Sequence, residues 1–194
     1  MPISGNISSR TFDAERAGIP MAPVNVQPVP LESDDAVWPC GLVLGKDADG
    51  KFLPYAGLTE QIGTGDGTEK AFTGQVGPIE PGSAEVTAES ITLDDDGCGN
   101  LAGTGGAGSI NYQTGKVVVG FTAAPANAAA VELDYSPDPV AVLDAETDTS
   151  DMDVSNAVVF GAVKKSALKV GVTAQTAAGD AVVERLRQRH IHAV

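Results

Sequence analysis

Gly41 to Tyr55, GLVLGKDADGKFLPY, is the stretch whose reading decides the fold. Two apolar runs, Leu42-Val43-Leu44 and Phe52-Leu53-Pro54-Tyr55, flank the polar turn Lys46-Asp47-Ala48-Asp49-Gly50. Asp-Gly inside a short polar connection is a strong hairpin signal, because glycine supplies the positive φ that such a turn needs. A second stretch, Val140 to Leu168 (VAVLDAETDTSDMDVSNAVVFGAVKKSAL), reads as a strand, an acidic connection and a further strand centred on Val158-Val159-Phe160. Between the two lies a run of different composition. The expectation is one small β-rich domain, residues 34–62 and 137–194, opened after its first hairpin, with a second β domain inserted over residues 63–136.

Within the insert, strands are expected at Lys70–Gln75, Ala84–Ala88, Ile91–Asp94, Gly108–Tyr112, Lys116–Phe121 and Ala130–Tyr135. Alternation is clearest in the last, with Val131, Leu133 and Tyr135 on one face and Glu132 and Asp134 on the other. Tyr112-Gln113-Thr114-Gly115-Lys116 joins two of these runs as a further hairpin. Short strands with glycine-rich turns form a small sandwich or barrel. Ala56–Ile62 reads as a linker, and Gly103–Gly108 as a flexible turn. Asp134-Tyr135-Ser136-Pro137-Asp138-Pro139 closes the insert.

Residues 1–33 form an extended arm punctuated by Pro2, Pro20, Pro23, Pro28 and Pro30. Its apolar residues Met21, Val24, Val26, Val29 and Leu31 are candidates for strand addition to a partner's sheet. Trp38, the only tryptophan, is a candidate core or interface anchor. From Thr173 the pattern turns helical, with Val182, Val183 and Leu186 recurring on one face before His190 or Ile191, and Ile191–Val194 leaving as an extended tail. The fold class is therefore mainly β with a short C-terminal helix.

The 194 residues suffice for one ordinary domain or two small ones. With 26 acidic against 12 basic residues, the net charge of −14 repels phosphate backbones and disfavours nucleic acid as a partner. No run of about eighteen apolar residues exists to cross a membrane, and the first residues lack the apolar core of a signal peptide. Cys40 and Cys98 show no ligand spacing and are expected as reduced thiols of a protein made in the cytosol.

The search for chemistry finds little. His190 and His192 form an HxH pair with no third ligand near in sequence. Asp94-Asp95-Asp96-Gly97-Cys98-Gly99-Asn100 and Asp47-Ala48-Asp49-Gly50 resemble calcium loops but lack the downstream bidentate glutamate, and turn chemistry accounts for both. Gly103–Gly108 lacks the Lys-Ser/Thr of a phosphate loop and leads into a strand. No enzyme, metal or cofactor is expected.

The split domain resembles the phage lambda-type head decoration (cement) proteins. The likeness rests on Gly41–Leu44, Asp49–Tyr55, Ala141-Val142-Leu143, Ala157–Val163 with Leu168, and the helical end leading to Ile191. The insert is similar to a β module of phage structural proteins through Lys70–Gly74, Ile91–Asp95, Gly99–Leu101, Ile110–Tyr112, Thr114-Gly115 and Val131–Tyr135. The resemblance implies a virion protein made in the host cytoplasm. It would bind the outside of an expanded capsid as a homotrimer at three-fold positions, with the arm adding to the major capsid protein. The alternative is a virion-surface adhesion module whose insert recognises a carbohydrate or a host protein.

Overall fold

The computed structural model describes residues 24–194. The chain is mainly β with one short helix near its C-terminus. Strands β1 (Asn25–Pro30) and β2 (Val37–Trp38) lead into the hairpin β3 (Val43–Lys46) and β4 (Phe52–Pro54). Next come β5 (Leu58–Thr64), β6 (Ala71–Gln75), β7 (Glu85–Ala88), β8 (Ile91–Asp95), β9 (Asn100–Gly103), β10 (Gly106–Asn111), β11 (Lys116–Phe121) and β12 (Ala130–Tyr135). The C-terminal part contributes β13 (Ala141–Leu143), β14 (Thr147–Asp148), β15 (Val154–Val163), β16 (Lys169–Val170), β17 (Thr176–Ala177), helix α1 (Asp180–Gln188) and β18 (Ile191–Ala193).

Two sheets carry the fold. The first has the order β1-β15-β13-β3-β4, with β18 pairing in parallel to the far end of β15. Val142 of β13 lies opposite Val43 on one side and Val158 on the other. Three fully buried valines from distant parts of the sequence thus form one row across three strands. Helix α1 lays Val182 and Leu186 over that face, together with Ile191 and Leu168. The opposite face holds Leu42, Leu44, Ala141, Leu143 and Ala157 around Trp38. Period-two alternation sends neighbouring residues of β3 and β13 to opposite faces, and both faces are covered, so Val43-Leu44 and the whole of β13 are apolar.

The same sheet curls on itself. Leu31, just past β1, bridges in parallel to Phe52 of β4, and the Glu32 N–H donates to the Phe52 carbonyl at 2.8 Å. This overturns the expectation for part of the arm. Val29 and Leu31 are only 4% and 2% exposed and belong to the chain's own core. β1 pairs antiparallel with β15 of the same chain. The Leu31 N–H faces β15, donating to the Asp153 carbonyl. By alternation the nitrogens of Pro28 and Pro30 face the edge away from β15, where they offer no donor. Proline there blunts the edge against addition of another strand.

The second sheet contains eight strands in the order β5-β12-β7-β8-β9-β10-β11-β6, paired antiparallel throughout. Its end strands meet across a seam of side chains. An added Cβ at Gly63 of β5 would lie 2.4 Å from the Phe72 ring, and one at Gly74 of β6 would lie 2.3 Å from Ile62. The result is a nearly closed barrel, filled by Val86, Leu93, Leu101, Val117, Val119, Val131 and Leu133 and by the edge-on pair Phe72–Phe121, 5.9 Å apart.

Residues 58–62, read from sequence as linker, are most of strand β5 and pair with β12. Gly103–Gly108, read as a flexible turn, spans the ends of β9 and β10 joined by a tight turn. Its glycines are where strands pack closely: a Cβ at Gly103 would sit 2.0 Å from the Thr92 carbonyl oxygen. The helix begins at Asp180 rather than near Thr173, because Thr176-Ala177 pairs with Lys169-Val170 first.

Candidate interaction surfaces

The residues singled out in the sequence divide three ways. Met21 lies outside the described residues. Val24 is half-buried against the helix-side core, and Val26 is 37% exposed on β1. Trp38 is 0% exposed and packs in the chain's own core. Its indole N–H is shared by the two Asp34 carboxylate oxygens at 2.9 and 3.0 Å. Asp34 also accepts from the Thr149 hydroxyl at 2.7 Å, and Thr149 bonds in turn to the Ala36 backbone. The segment before the first hairpin is thereby fastened to the loop between β14 and β15.

The aspartate turns are held by their own hydrogen bonds. Asp96 accepts from the backbone N–H groups of Cys98 and Asn100 and from the Asn100 side chain. These bonds hold its carboxyl below the usual range. Asp95 accepts from Gly82, Gly97 and the Tyr112 hydroxyl. Burial and that bond to Asp95 push the Tyr112 phenol up to about 12. Asp47 accepts from the Lys51 N–H at 2.8 Å. His190 takes a positive φ just beyond the helix, beside Phe160, while His192 lies on β18. Among the described residues no group of three or more His, Cys, Asp or Glu is placed to hold a metal ion.

A polar seam joins the barrel to the first sheet, and nothing in the sequence flagged it. Glu80, after β6, accepts from the Tyr55 hydroxyl and from Arg185 Nε at 3.2 Å. Arg185 also donates to the Pro81 carbonyl at 3.2 Å. Arg189, one helical turn on, donates to Asp138, whose side chain is 6% exposed. A cleft of about 410 Å³ runs between these groups, Tyr112 and Gln113. At the other end of the contact, a Cβ on Gly77 would fall 1.8 Å from the Lys46 carbonyl oxygen. Gly77→Ala is therefore expected to pry the barrel from the β3–β4 turn at a cost of about 1–3 kcal/mol, the usual range for overpacking, readable as a lower urea midpoint.

Asp138 gives the seam a pH dependence. Burial raises its carboxyl above the usual range, and the opposing pull of Arg189 and Arg185 does not offset this. A carboxyl raised in the folded state binds its proton more readily there than in the unfolded chain. Stability should therefore increase as pH falls through the raised value toward the ordinary carboxylate range, about 4. The exposed turn carboxylates Asp66, Asp96 and Asp148 are lowered by hydrogen bonds, so their contributions fade only at more acidic pH. Asp138→Asn should abolish the first rise; urea midpoints for both proteins between pH 4 and 7 check it, and parallel curves would refute it.

The last surface is an apolar dent of about 240 Å³ beside β4. Trp38, Leu53, Pro54, Leu58 and Val172 line it, and Glu32 and Asp34 stand at its margin.

No family model, curated protein or solved structure matches this chain.

Proposed function

We propose that the chain is a capsid-decorating protein: it seats on the outside of an expanded phage shell, as a trimer at three-fold positions, and stabilises that shell. Binding the expanded lattice alone shifts the equilibrium toward it by mass action, and trimerisation adds avidity. No bond-making chemistry is required. The observation that carries the reading is the row Val43–Val142–Val158. The motifs behind the resemblance, far apart in sequence, lie on adjacent strands of one sheet under one helix.

The barrel supports the same reading. It fills its own core, and its first and last strands lie side by side, with Leu58 opposite Tyr135. A module whose chain enters and leaves at neighbouring points can be carried in a loop without disturbing the sheet that bears it. Under this reading the segment upstream of Val24, including Met21, supplies the contact along the major capsid protein. The adhesion alternative needs an exposed aromatic platform on the insert. Phe72, Phe121 and Tyr135 are buried, and the Tyr112 hydroxyl is engaged by Asp95, so the aromatics are used internally.

Sedimentation tests the proposal. The purified protein, mixed with undecorated expanded shells, should co-pellet and saturate at three copies per three-fold site, and should leave unexpanded shells bare. Absence from the pellet would defeat the decoration role.

A further inference from the structure

We propose that the apolar dent bounded by Trp38, Leu53, Pro54, Leu58 and Val172 is a docking site for a protein segment presenting one large apolar side chain between lysines or arginines. The walls are almost wholly apolar, and the volume of about 240 Å³ suits a single leucine, phenylalanine or similar group. Leu53, Leu58 and Val172 keep part of their surface in water, while Trp38 and Pro54 beneath are buried. Covering the dent would remove apolar surface from water at about 25 cal/mol per Å².

Charge identifies the occupant. Every ionisable residue in 31–38 and in 144–154 is acidic. The two segments are tied together beside the dent: Thr149 bonds to Asp34, Ser33 donates to the Thr149 carbonyl, and Val37 pairs with Asp148. Glu32 and Asp34 stand at its margin. Lys51 answers Glu32 at 2.9 Å. Among the described residues Asp34 receives neutral donors, from Trp38 and Thr149. Val37 and Met152, on the same two segments, are exposed. An apolar contact within a rim of one sign selects a partner of the opposite sign, which steers association and excludes acidic surfaces. If the decoration reading holds, the partner is the shell; the chemistry of the dent does not depend on that reading.

The full-length protein would be titrated into three fluorescein-labelled hexapeptides, followed by anisotropy. The first carries Gly-Phe between two pairs of Lys/Arg, the second replaces Gly-Phe by Gly-Ser, and the third places Gly-Phe between two pairs of Asp/Glu. The first should bind at least tenfold more tightly than either other, and more weakly as salt is raised. Val172→Asp, in a half-buried loop position, and Asp151→Lys with Asp153→Lys, on an exposed loop, should each weaken it at least tenfold while leaving the far-UV spectrum unchanged. Equal binding of the Gly-Ser peptide would reduce the site to general charge attraction and overturn the proposal. Equal binding of the acidic peptide, no binding of the first, or unchanged affinity in both variants would overturn it too. None of these results would alter the co-pelleting test, so the two readings fail separately.

Discussion

Trp38→Ala is expected to cost about 3–5 kcal/mol, the range for removing a buried tryptophan or phenylalanine. Trp38 is 0% exposed and sits among Leu42, Leu44, Leu143 and Ala157. The change also removes the indole donor shared by both Asp34 oxygens, loosening the tie through Thr149 to the acidic loop. Against a total stability of about 5–15 kcal/mol, that is a large fraction. Trp38→Phe keeps most of the ring volume and loses the hydrogen bond to a charged acceptor, worth about 1.5–3 kcal/mol. Urea denaturation followed by far-UV circular dichroism separates the two variants. An alanine variant within 1 kcal/mol of the parent would mean that the tryptophan is not the centre of this face.

The second large effect concerns the barrel. Leu133 is 0% exposed and lies on β12 opposite Val86 of β7 in the eight-stranded sheet. Leu133→Ala should cost about 2–5 kcal/mol, and the loss should fall on the barrel first. The sole tryptophan packs in the core of the first sheet, outside the barrel core, so its fluorescence reports chiefly on that side of the molecule. The expected result is two transitions that no longer coincide, with the circular dichroism change beginning at lower urea than the change in Trp38 emission. Coincident transitions, displaced together, would show that the seam through Glu80, Arg185 and Asp138 couples the two sheets into one cooperative unit.

The sequence spelled out those elements whose side chains alternate cleanly. Val131, Leu133 and Tyr135 gave β12, Asp49-Gly50 gave the first hairpin, and Val182 with Leu186 gave the helix face. It was silent where a strand stays polar. β5 has only Leu58 and Ile62 to mark it, and it closes the barrel through the absence of a side chain at Gly63, where Phe72 fits. The glycines at 103–108 carry the same lesson, since close strand packing and a flexible turn share one composition. In sequence, Val29 and Leu31 sit on an extended arm punctuated by prolines and are candidates for addition to a partner's sheet. The structure instead uses those prolines on the edge away from β15. The seam was invisible for a different reason. Glu80 and Arg185 lie over a hundred residues apart, and nothing local in either segment announces the pair.

The account depends on a sheet assembled from both ends of the chain and a barrel that folds in the gap. Tyr135 lies opposite Leu58, so the two ends of the barrel are one strand spacing apart, about 5 Å, and a three-residue glycine-serine link can replace residues 58–135. Amide hydrogen exchange on that shortened protein is the most direct measurement. Slow exchange at Val43, Val142 and Val158 is the predicted result. Exchange there at the rate of an unfolded chain would contradict it.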